Sequence, residues 1–237
     1  MHKGMPKALR QALFLILTGS LFRHAIALVL FLLLVTIPAL SSADDSNGVR
    51  PLLTQDQFQS TLSEDTRLLD NAEALEMFLD AIDGTPPNWK QIYGNDGAGH
   101  DERLFAVNRE RDRVREGHDA LTRQVTFLWA GELSSYDAER DGFHVAMGPK
   151  LLPTRWGVVR FKPDNLPSNL VAVSLPLLRD SLQNRVRNGE RIEIDVAITG
   201  RLLPDESIIY DFAHEEPGQG MVMPVVRVER VDYVLKE

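Results

Sequence analysis

The spacing of apolar residues changes near residue 122, and this change divides the chain after residue 43 into two predicted segments. Residues 44–121 place apolar side chains at steps of three and four, the period of an amphipathic helix. Residues 122–237 mostly alternate apolar and polar positions, the period of a strand with one buried face. We therefore predict an α+β protein in which a helical and loop segment precedes a β domain that folds as one cooperative unit.

The helical segment contains one clear amphipathic helix and two weaker helix signals. Thr54 and Gln57 have the spacing of a capping box, which predicts a helix start ahead of Phe58. Residues 101–117 form a highly charged stretch whose polar side chains are expected to face solvent. The clear helix is predicted to end at Asp83 and Gly84. Its apolar stripe consists of Leu68, Ala72, Leu75, Leu79 and Ile82.

The β domain combines strand signals with a single helix signal. A helix is predicted to begin near Pro176 and to end at Asn188 and Gly189. In the last strand the apolar phase changes at Glu229 and Arg230, which predicts a β-bulge because one extra residue must be absorbed. Five strand regions are predicted, at residues 124–133, 143–147, 156–161, 192–199 and 222–235. Residues 170–173 are a secondary strand signal within the third region.

The order of three strands, one helix and two strands resembles that of an OB-fold, a five-stranded β-barrel with one inserted helix. The resemblance implies a ligand surface beside two loops, here residues 134–142 and 203–221. It implies no particular ligand, because such barrels serve many unrelated functions. A mixed β-sandwich is the alternative arrangement of the same elements.

The first 43 residues have the order of a bacterial export signal: basic residues, an apolar run and then small residues. The uncharged run at residues 25–40 is shorter than the roughly 20 residues that a membrane-spanning helix needs. Ser41 and Ala43 favour cleavage before Asp44. We predict that residues 1–43 are a signal peptide and that the protein is periplasmic or secreted. The alternative is a membrane anchor formed by an uncleaved segment.

Composition limits the classes of partner. The chain has no cysteine, so it has no disulfides and no thiolate chemistry. Residues 1–43 hold four of the 26 basic residues and none of the 34 acidic ones, which leaves 22 basic residues and a formal charge of −12 for the remainder. Such a surface repels phosphate backbones, so nucleic-acid binding is not expected.

Residues 205–221 hold the densest chemistry in the chain, with five carboxylates, one histidine and one tyrosine. A carboxylate beside a histidine can tune proton transfer or help to hold a cation. The alternative is an acidic loop whose aromatic residues pack inward while its charges stay in water. The apolar residues from Ile208 to Phe212 favour an ordered loop with a short extra strand, after which Gly218 and Gly220 allow the chain to turn back. A second candidate surface pairs a guanidinium with an indole. The candidate binding residues are Tyr210, Asp211, His214, Glu215, Glu216, Arg155 and Trp156.

No sequence motif identifies a reaction, a cofactor or a metal site. The Asp-rich turn at residues 137–142 resembles the start of a calcium loop, but its twelfth position is Gly148, and a hairpin turn explains it better. His214 and Glu215 are followed by Pro217, so they do not form a zinc-binding helix. We expect an exported, non-catalytic binding or assembly module whose partner is an envelope protein or a small ligand. The alternative function is a metal-assisted or carboxylate-based hydrolase that uses residues 205–216.

Overall fold

The elements of the fold are described in a computed structural model for residues 48–94, 99–213 and 218–236. The helices are α1 (Gln55–Thr61), α2 (Ala72–Asp83), α3 (Trp89–Tyr93), α4 (His100–Arg115) and α5 (Pro176–Arg187). The strands are β1 (Val49–Leu53), β2 (Arg67–Leu69), β3 (Gln124–Asp137), β4 (Gly142–Gly148), β5 (Leu152–Thr154), β6 (Gly157–Val159), β7 (Lys162–Asp164), β8 (Val171–Val173), β9 (Ile192–Leu202), β10 (Ile208–Phe212) and β11 (Gly220–Leu235).

Six strands close into a β-barrel in the order β1-β8-β4-β3-β9-β11, and β11 pairs with β1 to complete the circle. The α+β class and the barrel are thus confirmed, with six barrel strands in place of the expected five. The arrangement is compatible with an OB-like barrel. The other five described strands, β2, β5, β6, β7 and β10, lie outside the closed circle.

The sixth barrel strand, β1, comes from the segment predicted to contain only helices and loops. It lies parallel to β8, where Val49 pairs with Val171, and parallel to β11, where Leu52 pairs with Tyr233. The tyrosine hydroxyl also donates a hydrogen bond to the carbonyl of Gly48 over 2.6 Å. β2 is a second strand from this segment, and it contains Leu68, which therefore does not belong to α2 as its spacing predicted.

Several local predictions are confirmed. Thr54 and Gln57 form the capping box of α1, with both reciprocal hydrogen bonds present. Gly84 ends α2 with a positive φ of 73°. β3 and β4 form the antiparallel hairpin, and β9 pairs with both β3 and β11. The register of β11 against β9 shifts between Val228 and Arg230, at the predicted bulge.

The strand predicted at residues 156–161 is placed differently in the structure. Its central part forms β6, which pairs with β5 and with the start of β11 outside the barrel. The barrel strand that follows β4 is instead β8, at residues that the sequence marked as a secondary signal. Phe161 still reaches the core, where its ring stacks on Phe127 with centroids 4.1 Å apart.

Helices cover the two ends of β3. α5 lies at the end where β3 turns into β4, and Arg179 of this helix forms an ion pair with Asp141 of the turn. α2 contacts β2, β5, α4 and the short 3-10 turn that precedes β3. The buried residues of α2, including Leu75 and Phe78, belong to the same hydrophobic cluster as the barrel residues Phe127 and Ile198. The core therefore continues across residue 122.

Among the described residues, no helix combines the length and the apolar character required to span a membrane.

Candidate functional site

The connection between β9 and β11 is an ordered hairpin arm in its described part. A 3-10 turn (Pro204–Glu206) leads into β10, which pairs antiparallel with the first half of β11. This confirms the short extra strand that Ile208 and Tyr210 predicted. Gly218 has a φ of 88°, so it supplies the backbone turn expected of a glycine at this point. His214, Glu215 and Glu216 lie outside the described residues.

Tyr210 and Asp211 occupy different environments although they are neighbours in sequence. Tyr210 is fully buried, whereas Asp211 is half-buried and accepts a hydrogen bond from the backbone N–H of Phe212. The Phe212 ring packs on Tyr93 of α3 with centroids 4.7 Å apart. The Tyr93 hydroxyl donates to the carbonyl of Gln219 over 2.7 Å, on the returning side of the arm. α3 therefore holds both sides of the arm near its tip.

Side chains of helix α4 form hydrogen bonds with the edge of β10 that does not pair with β11. The side-chain amide of Asn108 accepts the Tyr210 N–H and donates to the Tyr210 carbonyl, each over 2.8 Å, as a neighbouring strand would. Arg115 Nη1 donates to the carbonyl of Ile208 over 2.8 Å. Because an open strand edge carries unpaired backbone groups, these bonds protect β10 from pairing with another chain.

A set of interacting side chains lies beneath β10, and we call it the Tyr210 cluster. Its members are Asp83, Arg111, Arg115, Trp156 and Tyr210. Arg115 binds Asp83 with two parallel hydrogen bonds, Nε to Oδ1 over 2.7 Å and Nη2 to Oδ2 over 2.6 Å. Both side chains are only 1 % exposed. Arg111 Nη1 lies 3.1 Å from Asp83 Oδ2, and the Tyr210 hydroxyl donates to the same oxygen. The cluster ties α2, α4 and β10 together.

The charges in the cluster stabilise one another. Burial by itself would raise the pKa of Asp83, but the hydrogen bonds and charge of Arg115, with Tyr210 and Arg111, outweigh it and lower the pKa below its ordinary value. Burial and then the charge of Asp83 raise the pKa of Tyr210, which keeps its hydroxyl a neutral donor. A buried Asp with a bidentate Arg partner stays ionised and has a structural role. A group that exchanges protons in catalysis has a pKa near the working pH instead.

The second candidate pair, Arg155 and Trp156, contacts α2. Trp156 is fully buried, and its indole Nε1 donates to Asp80 Oδ1 over 3.1 Å. The Arg155 side chain is 49 % exposed and forms ion pairs with Asp80 and with Glu76, whose Oε2 lies 3.3 Å from its Nε. Arg111 places its guanidinium 5.4 Å from the Trp156 ring centroid. Trp156 therefore joins the Tyr210 cluster, while Arg155 stays at the surface.

Trp89 contacts both candidate surfaces, and a glycine leaves room for its ring. Its indole Nε1 donates to the carbonyl of Trp156 over 2.7 Å, and its ring lies 6.1 Å from that of Tyr210. A Cβ atom added at Gly220 would come within 1.9 Å of the indole ring. Gly220 was predicted to help the chain turn, but its role is to leave room for Trp89.

The α4 residues that hold the arm were missed because they lie in the charged stretch whose polar side chains were expected to face solvent. Leu104, Asn108, Arg111 and Arg115 follow one another at steps of four, three and four, the spacing of a packed helical stripe. Only the first of the four is apolar, so a search for apolar periodicity does not detect the stripe. No local signal distinguishes this face from the others, because its polar residues are buried only through partners elsewhere in the chain.

The two loops that the OB-fold resemblance named do not meet across the β3–β9 ladder. Gln124 pairs with Arg201 at one end of this ladder, and Leu133 pairs with Ile192 at the other. The connection after β9 leaves from the first end, while the turn between β3 and β4 lies beyond the second. In that turn Asp137 accepts hydrogen bonds from the N–H groups of residues 139 and 140, the geometry of a hairpin turn.

Within residues 48–94, 99–213 and 218–236, no group of three His, Asp or Glu side chains is close enough to hold a metal ion. The described part of the arm is held in place by side chains of α3 and α4. Comparison of the chain with protein-family models, with curated proteins and with solved structures finds no match.

Proposed function

We propose that this protein is an exported, non-catalytic binding or assembly module of the bacterial envelope that uses the tip of the β10–β11 arm as its contact surface. The observation that carries the proposal is the double anchoring of the arm by Asn108 and Tyr93. Strands that are already held in place lose little conformational entropy when the segment between them binds a partner. The same anchoring occupies Tyr210 and Trp156 in structural contacts.

An OB-like scaffold is the fold assignment that fits this proposal. β3, β4, β8, α5, β9 and β11 follow one another in the order of the OB elements, and β3 pairs with both β4 and β9 as the first OB strand does. The insertion of β1 between β8 and β11 is the difference from the five-strand arrangement. The connection that carries the arm corresponds to the loop before the last OB strand, one of the ligand loops of such barrels.

Export to the periplasm or outside the cell rests on the leader pattern of residues 1–43. Cleavage before Asp44 would leave β1 intact, since this strand begins at Val49. N-terminal sequencing of the exported protein tests this step, and a terminus at Met1 would favour the anchored form instead.

The partner is proposed to be an envelope protein or a small ligand, and no nucleic acid is expected. The formal charge of −8 for the whole chain disfavours a polyanion. Among the described residues, the large apolar side chains with high exposure include a single aromatic one, Phe105, and it lies on α4 and not on a barrel strand. Stacking platforms for bases are built from such exposed aromatic residues.

The test is quantitative capture of envelope proteins and small ligands by the purified protein and by two variants. The first variant, His214→Ala with Glu215→Ala, alters the tip of the arm. The second, His144→Ala with Glu139→Ala, removes the same two residue types from the β3–β4 hairpin, where the His144 side chain is 42 % exposed. We expect the first variant to lose a partner that the parent and the second variant retain.

Equal capture by all three proteins would show that the arm tip is not the contact surface. Metal analysis of the same samples examines the hydrolase alternative. A stoichiometric ion that disappears only in the His214 and Glu215 variant would favour that alternative over the binding module.

A further inference from the structure

A groove beside β2 holds three arginine side chains. Its volume is about 690 Å³, and Arg67, Arg123 and Arg201 contribute to its walls. In the parallel β2–β3 ladder Arg67 pairs with Val125, only two residues after Arg123. On the other side of β3, Arg201 pairs with Gln124. The pairing of three neighbouring strands thus brings three arginines to one place, which we call the arginine groove.

The polar groups around Gln124 are already satisfied. Thr66 Oγ1 donates to Gln124 Oε1 over 2.7 Å, and Gln124 Nε2 donates to Glu229 Oε2 over 2.8 Å. Arg201 forms an ion pair with Glu229 and donates to the carbonyl of Thr122 over 3.2 Å. These contacts hold Gln124 and Arg201 in the wall of the groove. Arg67 and Arg123 are therefore the two arginines that remain to bind a ligand.

Neither Arg67 nor Arg123 has a hydrogen bond or an ion pair from its guanidinium within the part of the chain that the structure describes. Arg67 is half-buried, while Arg123 is exposed. A guanidinium presents a planar set of donors that matches a carboxylate or a phosphate in two parallel hydrogen bonds. Two such groups in one groove can bind one oxyanion from two sides.

The same groove limits the size and charge of its ligand. Glu64 and Asp65 line it as well, and both are exposed. Their carboxylates repel a long polyanion, while they accept hydrogen bonds from an ammonium or hydroxyl group next to the bound anion. The groove therefore fits a compact ligand with one anionic group and neighbouring donors.

We propose that the arginine groove is a binding site for a compact ligand with a free carboxylate or phosphate group, held by Arg67 and Arg123. The site lies apart from the arm tip, and its existence does not depend on the function proposed for the arm.

Calorimetric titration of the purified protein at low salt tests the site with three probes: inorganic phosphate, alanyl-alanine and the C-terminal amide of alanyl-alanine. We expect saturable binding of phosphate or of the free dipeptide, with a Kd of about 1 mM or lower, and no binding of the amide. Phosphate alone would identify a phosphate ligand, and the dipeptide alone would identify a carboxylate ligand. Arg67→Gln with Arg123→Gln should weaken binding at least about tenfold, because charge-assisted hydrogen bonds are lost.

The control is Arg109→Gln with Arg187→Gln, which removes two guanidiniums from the exposed faces of α4 and α5. It should bind like the parent. The single variant Arg123→Gln, at an exposed position outside any strand, guards against loss of the fold and should itself weaken binding. The proposal is wrong if neither anion binds, if the amide binds as well as the acid, or if the control loses as much affinity as the groove variant.

Discussion

At the scale of single residues, the fold depends on a few polar side chains that are buried in fully bonded positions. Asp83 and Arg115 are the clearest pair, since each is almost completely removed from water and each satisfies the other's charge. A buried ion pair contributes little net stability compared with apolar residues of the same volume, yet removal of one partner is strongly destabilising. The main effect of the pair is therefore to fix the position of β10, to which Arg115 also donates a hydrogen bond.

The variant Asp83→Asn should lose about 3–5 kcal/mol of unfolding free energy at neutral pH, because Arg115 would remain buried without its counter-charge. This loss of unfolding free energy should become smaller as the pH is lowered. Since folding lowers the pKa of Asp83, its contribution is present above the ordinary aspartate value and disappears as the pH falls through the lower folded value. Urea unfolding at pH 7 and near pH 3 measures both quantities.

Asp205→Asn is the matched control for this measurement, because Asp205 is exposed in the 3-10 turn before β10. It should change stability by less than about 0.5 kcal/mol. A difference between Asp83→Asn and the parent that stays constant over the whole pH range would mean that the folded protein does not lower the pKa of Asp83.

At the scale of elements, the β10–β11 arm is stabilised by a helix in the place where a sheet would use another strand. β10 has β11 on one side, and on the other it has the side chains of Asn108 and Arg115 from α4. The interactions are few, so the outer half of the arm should open more readily than the barrel half of β11.

Asn108→Ala should cost about 1–3 kcal/mol, because the Tyr210 N–H and carbonyl lose their partners in a buried place. Hydrogen exchange followed by mass spectrometry should show faster exchange in residues 208–212 and no change in the half of β11 that pairs with β9. Asn184→Ala, at an exposed position of α5, serves as the control. Uniform acceleration throughout β11 would show that the arm and the barrel open as one unit.

At the scale of the whole molecule, closure of the barrel depends on β1, which precedes β3 by about 70 residues in sequence. β1 separates β8 from β11 and pairs with both, so the elements after residue 122 do not form the closed circle alone. The residues of α2 add to the same core. The sequence predicts that residues 122–237 fold as one cooperative unit, but the shared barrel and core lead us to expect that they need β1 and α2 to do so.

A fragment of residues 122–237 should show no cooperative unfolding transition, because it lacks β1 and the apolar side chains of α2. The chain from residue 44 to residue 237 should unfold cooperatively under the same conditions. Circular dichroism during urea titration compares the two. Cooperative unfolding of the shorter fragment would mean that β8 and β11 can pair directly and that residue 122 is a true folding boundary.

The sequence by itself determined the elements whose signals are local. The capping box at Thr54, the end of α2 at Gly84, the β3–β4 hairpin, the limits of α5 and the bulge near Glu229 all follow from residues within a few positions of one another. Periodicity and turn chemistry act over such short distances, so they are readable without knowledge of the fold. For the candidate site, the same local signals predicted β10 and the burial of Tyr210. They did not predict that Asn108 and Arg115 of α4 hold this strand in place.

Only the tertiary structure decided which elements pair and which polar residues are buried. β1 contains Pro51 and has no clear alternation, and it is a strand because β8 and β11 lie on either side of it. Asn108 lies 102 residues from its partner Tyr210, and Arg115 lies 32 residues from Asp83. A charged side chain is buried only if its partner arrives from elsewhere, so its own neighbours in the sequence carry no sign of it.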